Sequence, residues 1–102
     1  MKRVFICSPY RGDVDANVAR AVALCRHVAL RGDAPFAPHL MLPRALDDDD
    51  PAERELGLAA ALAWLAVCDE LLVAGPVSRG MMREIEAAAG LGIPVRAAEG
   101  SW

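Results

Sequence analysis

The chain has 102 residues, 55% of them hydrophobic and only 5% aromatic, with a formal net charge of −3. That length admits one domain, residues 1–102, whose core must be built from Ala, Val and Leu. The charge excludes broad attraction to a nucleic-acid backbone or an acidic membrane, so an anionic ligand needs a local cluster of donors. Cys7, Cys25 and Cys68 are odd in number and fall inside predicted elements. They read as reduced, buried thiols of a cytoplasmic protein, not as a disulfide framework. Met1-Lys2-Arg3 leads into too short an apolar run for a secretory signal, and the most apolar stretch, Leu56 to Cys68, is too short to span a bilayer.

In chain order, Arg3 to Cys7 reads as a first strand, rich in β-branched and aromatic residues. Asp15 or Asn17 can cap a first helix running to about Arg31 and stopped by Gly32. Its apolar stripe is Val18, Val22, Cys25 and Val28/Ala29, opposite Asn17, Arg20, His27 and Arg31. Ala34 to Ala37 is a second strand, placed at a sheet edge because Pro35 and Pro38 cannot donate to a ladder. His39 to Asp49 reads as loop. Asp50-Pro51-Ala52-Glu53 then starts a second helix with a capping Asp, a Pro at the first helical position and a Glu three residues after the cap. That helix runs to about Val67. Glu70 to Ala74 is a buried third strand, Ser78 caps a third helix ended by Gly92, and Ile93 to Ala97 is the fourth strand. The tail from Glu99 to Trp102 has no periodicity.

This alternation predicts an α/β, flavodoxin/Rossmann-like three-layer sandwich: a parallel four-stranded sheet of order 2-1-3-4 with right-handed crossovers. The chain reverses direction between strands one and three, so the loops Ser8–Asp13 and Gly75–Gly80 part and leave a crevice, bordered by the His39 loop. The first helix falls on one face of the sheet and the other two on the opposite face. A single helix about 10 Å across cannot cover four strands spanning about 15–19 Å. The second helix is apolar nearly all round, from Leu56 through Leu62 and Trp64 to Val67. Both features point to a homo-oligomer, the other reading of the second helix being an unusually Ala-rich core helix.

Several residues at the crevice could carry chemistry. Arg11 and the free N–H groups at the start of the first helix make an anion site, or else Pro9, Gly12 and Asp13 make a plain turn beside a surface Arg. Tyr10 offers a ring and a hydroxyl. His39 either packs against the strand end or enters the site, whereas His27 is solvated. Consecutive carboxylates from Asp47 to Asp50 alternate in direction and rarely converge on one ion, so no metal or other cofactor is expected. On the third helix Met81, Met82, Ile85, Ala88 and Ala89 form the packed face and Glu84 borders it. Lying near the positive end of the helix dipole, Glu84 is expected to stay ionised and partly desolvated, as a nucleophile or a sugar-hydroxyl acceptor requires. An ordinary surface glutamate is the other reading.

The segments Val4-Phe5-Ile6-Cys7-Ser8-Pro9-Tyr10-Arg11-Gly12, Ala37-Pro38-His39, Trp64-Leu65, Cys68-Asp69-Glu70 and Ser78-Arg79-Gly80-Met81-Met82-Arg83-Glu84-Ile85 resemble the nucleoside 2-deoxyribosyltransferase-like superfamily, in particular its small bacterial and phage-type members. The likeness covers nearly the whole chain and lies in the order and spacing of the segments. It implies retaining N-glycosidic chemistry, in which a glutamate matched by Glu84 attacks the anomeric carbon and water or a second base resolves the glycosyl-enzyme. Ser78, Gly80 and Met81 match the phosphate- or sugar-side loop. Arg11 and His39 match a basic residue and a His of the nucleotide-hydrolase branch, and Ser8, Tyr10 and Gly12 complete the substrate-binding loop. Asp69 matches an Asp opening the third strand, at the end remote from the crevice, where a structural role fits.

One position departs from the pattern. Where active members carry an acidic residue that handles the leaving base, this chain has Ala61. Loss of a general acid typically costs a factor of about 10²–10⁴. The resemblance therefore implies a nucleoside or nucleotide N-glycosidase or 2-deoxyribosyltransferase-like enzyme, with a non-catalytic nucleotide-binding module as the alternative. Its partner is a small-molecule nucleoside or nucleotide.

Overall fold

A computed structural model describes residues 1–99; Gly100, Ser101 and Trp102, the end of the aperiodic tail, lie outside the described residues. The strands β1 (Arg3–Cys7), β2 (Ala34–Phe36), β3 (Glu70–Val73) and β4 (Val95–Ala97) form one parallel sheet in the order β2-β1-β3-β4. The expected fold class and strand order are therefore those observed. β1 pairs Val4 with Glu70 and Cys7 with Val73 on one side, and Arg3 with Ala34 and Phe5 with Phe36 on the other. Ala34 donates to the Lys2 carbonyl at 2.8 Å. The next residue, Pro35, turns its missing donor outward, where an edge strand has no acceptor to satisfy.

Helix starts are set by local chemistry. α1 (Val14–Leu30) is capped by Asp13, whose carboxylate accepts from Ala16 N at 3.2 Å, and not by Asp15 or Asn17. Asn17 is otherwise engaged: its amide donates to the carbonyls of Tyr10 and Arg11 at 3.0 and 3.1 Å and so shapes the preceding loop. The segment expected to be loop after β2 instead makes a 3₁₀ turn (Pro38–Leu40) and a short helix α2 (Leu42–Ala45). Pro38 and Pro43 stand at their first turns, where a missing N–H costs nothing. α3 (Pro51–Leu65) has the expected Asp50 cap, accepting from Ala52 N at 3.0 Å. Glu53 does not reach back to close a capping box; it accepts from Asp47 N at 3.1 Å and pins the loop before the helix. α4 (Arg79–Gly90) is capped by Ser78, whose hydroxyl accepts from Met81 N at 3.3 Å.

Strand alternation divides the core in two. Phe5, Cys7 and Leu71 face α3 and α4, packing with Ala61, Leu65, Met81 and Ala88. Val4, Ile6 and Leu72 face α1, packing with Leu24 and Val28. The buried stripe of α1 is Ala21, Leu24 and Val28, with Val22 half exposed. It is rotated by about one residue from the stripe the sequence suggests, because in a helix rich in Ala and Val hydropathy alone barely distinguishes neighbouring faces. α1 covers β3 as well as β1, so the bare region is confined to β4, whose three residues are all exposed. Of the thiols only Cys7 is fully buried; Cys25 and Cys68 are free and half-buried.

Candidate active site

The parted loops leave a cleft of about 720 Å³ above the C-terminal ends of β1 and β3. Its walls come from the loop after β1 (Pro9, Tyr10, Arg11), the 3₁₀–α2 segment (Pro38, His39, Leu42, Pro43), one side of α3 (Arg54, Leu58, Ala61) and the first turns of α4 (Ser78, Gly80, Arg83, Glu84). Six residues singled out in the sequence therefore meet here: Tyr10, Arg11, His39, Ser78, Gly80 and Glu84.

Three others do not. Ser8 is buried just past the end of β1 and is not part of the cleft lining, and its hydroxyl has no partner. Gly12, with φ of 99°, lines a separate shallow depression beside Asp47–Asp49. Met81 lies wholly in the core beneath the cleft floor, where its sulfur accepts from Ser78 N at 3.4 Å and its own N–H reaches the Ser78 hydroxyl. It shapes the α4 start instead of lining the cleft.

Glu84 differs from the expected residue at the border of a packed face. It sits in the centre of that face with Met81 and Ala88, 4% exposed, while Met82 and Ala89 point outward. Its Oε1 is buried without a hydrogen-bond partner. Instead of being held ionised by the helix start, the carboxyl is pushed up to about 7 by burial, opposed by the Cys7 thiol beside it, which donates to the Met81 carbonyl at 3.8 Å. Desolvation outweighs the dipole. The thiol is driven upward in turn, by burial and by the carboxylate beside it.

The opposite lip is organised by Arg11. Its guanidinium donates to the Asp48 carboxylate at 2.9 Å and to the Asp48 carbonyl at 2.7 Å, strapping the first loop to the segment before α3. Its charge is thus shared with an internal carboxylate and is not free for a ligand alone. The rings of Tyr10 and His39 lie 5.5 Å apart, tilted by 51°, in an attractive aromatic geometry. Burial holds the imidazole below its usual value, against smaller opposing effects of the Ser8 backbone and the Asp48 carboxylate, and its Nδ1 has no partner. Asp69, remote from the cleft, accepts from Arg3 N at 2.7 Å and ties β1 to the start of β3. Among the described residues no group of His, Cys, Asp and Glu is arranged to hold a metal ion, and no helix is long and apolar enough to cross a membrane.

Sequence reasoning missed the α2 wall and the α3 charges. Arg54, Leu58 and Ala61 follow one another at spacings of four and three along a single helical face. That spacing, counted back from Ala61, was the available signal. Arg83 ion-pairs with Glu55 at 3.0 Å and links α4 to α3 at the cleft mouth.

Residues 2–98 match a family model described as Domain of unknown function (DUF7768). No curated protein matches the sequence. Among solved structures, the chain is similar to a 2-deoxyribosyltransferase from Bacillus psychrosaccharolyticus (TM-score 0.67, 19% identity, 98% of this chain and 75% of that one). It is similar also to a 2-desoxiribosyltransferase from Leishmania mexicana (TM-score 0.71, 16% identity, 95% and 63%). A conserved protein from Enterococcus faecalis V583 is a third (TM-score 0.69, 21% identity, 95% and 62%). The chain thus spans less than two thirds of the length of two of these proteins, and at such identities the likeness is one of fold. On a match covering nearly its whole length, this chain belongs to the DUF7768 family, and it is built on the nucleoside 2-deoxyribosyltransferase-like fold.

Proposed function

We propose that this chain is a nucleoside or nucleotide N-glycosidase or 2-deoxyribosyltransferase that acts through Glu84 as nucleophile. The observation that carries the reading is Glu84 itself: a carboxyl on the cleft wall, 4% exposed, with one oxygen unpartnered. A buried polar atom left without a partner needs an explanation, and a strongly perturbed carboxyl in a cleft is a functional-site candidate. In this reading one Glu84 oxygen attacks the anomeric carbon, the bond to the base breaks, and water or a second base displaces the ester. Tyr10 and His39 hold the base between the apolar walls. Ser78, the Gly80 backbone and Arg11 position the sugar or its phosphate, with the N–H groups at the α4 start available to an anion.

The test is free-base release from a panel of nucleosides and 5′-monophosphates, comparing wild type with Glu84→Gln. The expected result is a loss of turnover of about 10³-fold or more, with ligand-induced thermal stabilisation retained. A variant as active as wild type would remove Glu84 from the chemistry. Ala61 favours a second reading, a nucleotide-binding module without turnover. It predicts nucleotide-dependent stabilisation of wild type and no base release from any substrate. The reading also includes self-association through the exposed side of α3.

A further inference from the structure

Among the described residues, four carboxylates line the cleft, and three are already engaged as acceptors. Asp48 accepts from Arg11 at 2.9 Å, Glu55 from Arg83 at 3.0 Å, and Glu53 from the Asp47 backbone N–H at 3.1 Å. The fourth is the proposed nucleophile. Of the remaining lining groups, His39 is held toward its neutral form by burial. Tyr10 lines the cleft with its ring centroid 5.5 Å from that of His39. Ala61 brings only a methyl group to the wall of α3. Among the described residues, the cleft thus presents a nucleophile and no second carboxyl left free to protonate a departing base.

That combination selects among leaving groups. When an N-glycosidic bond breaks, the base keeps the bonding pair. A neutral purine or pyrimidine then departs as an anion unless it is protonated, and the missing proton transfer costs about 10²–10⁴-fold in rate. A base that is already cationic, such as a pyridinium or an N7-alkylated purine, takes up the same pair and departs neutral.

We propose that the substrates of this cleft are N-glycosides of cationic bases. The inference rests on the reading of Glu84 as nucleophile and names the substrate class of that site. A Glu84 oxygen bonds to the anomeric carbon as the carbon–nitrogen bond breaks, and the pair cancels the positive charge on the ring. Water then bonds to the anomeric carbon, the ester carbon–oxygen bond returns its pair to the carboxylate, and the water's proton goes to solvent. One water is consumed, one proton is released, and no acid is needed at the base. The Tyr10 and His39 rings give a cationic ring a face to lie on, an arrangement that favours cation–π attraction to Tyr10.

The experiment compares matched pairs: 7-methylinosine with inosine, and 7-methyl-2′-deoxyguanosine with 2′-deoxyguanosine. Each is given with and without a 5′-phosphate, and nicotinamide mononucleotide is a further cationic member. Free base is quantified against a Glu84→Gln blank, which corrects for spontaneous loss. The expected result is release from the cationic members faster than from their neutral partners by about 100-fold or more, the lower end of what a general acid supplies. A working acid would erase that advantage, so a preference below about 100-fold overturns the inference while leaving Glu84 as nucleophile. Cleavage of neither series above the blank overturns the proposed function and this inference together.

Discussion

Glu84 experiences two opposing influences. The α4 start favours its anion, and burial disfavours it, and burial prevails, lifting the carboxyl from 4.5 to about 7. Because the folded-state value is raised, the stability contributed by this group is fully present below about pH 4.5 and is lost as pH rises through about 7. Above that the buried charge costs about 3 kcal/mol. Glu84→Gln keeps the shape and removes the charge. The variant should therefore unfold at higher urea than wild type at about pH 8.5, with the difference shrinking as pH falls and gone at about pH 4. Activity should run the opposite way, kcat/KM rising with pH to a plateau above about 7, because only the anion attacks. A profile flat from about pH 5 to 9 would remove the link between the titration and the chemistry. Gly75, at the crevice, is constrained by its backbone and its neighbours. Its φ is 82°, and an added Cβ would stand 2.5 Å from the Arg20 guanidinium and 3.2 Å from Pro9. Gly75→Ala should lower stability by roughly 1–3 kcal/mol in urea unfolding.

At the level of elements, the end of the sheet opposite the cleft gathers three cations around one buried carboxylate. Glu70, buried at the start of β3, lies 3.3 Å from Lys2, 3.5 Å from Arg31 and 3.7 Å from Arg96. It joins the approach to β1, the end of α1 and β4. All three cations reach solvent, so the net value of each pair is small, but Glu70→Ala leaves like charges facing one another. A loss of roughly 1–3 kcal/mol is expected, with the cleft unchanged as judged by ligand-induced stabilisation. An unchanged unfolding midpoint would show that solvent already satisfies the three cations. Elements and their order were legible in the sequence because punctuation is chemical. Pro35 marks an edge, Asp50-Pro51 opens a helix, and Gly32 and Gly92 close two others. Helix faces were less legible. In α1 and α4 the buried stripe is chosen by contacts with the sheet, so Val22 and Met82 point outward while Ala21 and Glu84 point in. A carboxyl in a packed face contradicts hydropathy patterning, and such contradictions belong to functional or strained sites. The α2 wall was missed because Pro43 reads as a loop residue, although it also suits a helix start. Arg11 and Asp48 lie far apart in sequence, and no local pattern announces their pairing.

At the level of the whole molecule, the sheet order leaves α1 alone on one face and places α3 and α4 together on the other. α3 buries only part of its apolar surface against its own fold. Only Ala61 and Leu65 of the helix are buried, while Leu56 is 63% exposed and Val67, just past its end, 51%. With the exposed Ala59 and Ala63 between them at helical spacing, these side chains form an apolar stripe along the outer side of the helix. Scattered apolar residues on a surface are ordinary; a continuous stripe is the feature that marks an interface. A C2 dimer in which α3 packs on its partner copy would bury that stripe, and each α3 also carries Leu58 and Ala61 on its cleft wall. Light scattering at micromolar concentration should give twice the 10.9 kDa chain mass. Trp64 is a poor choice for testing the interface, since it also lies against Phe36 at 5.6 Å and its loss would disturb the fold. Leu56→Glu with Val67→Glu places charge on the stripe and replaces no buried residue. That variant should be monomeric, with its unfolding no longer dependent on protein concentration. A wild-type chain that stays monomeric at about 100 μM would leave the stripe unexplained by self-association.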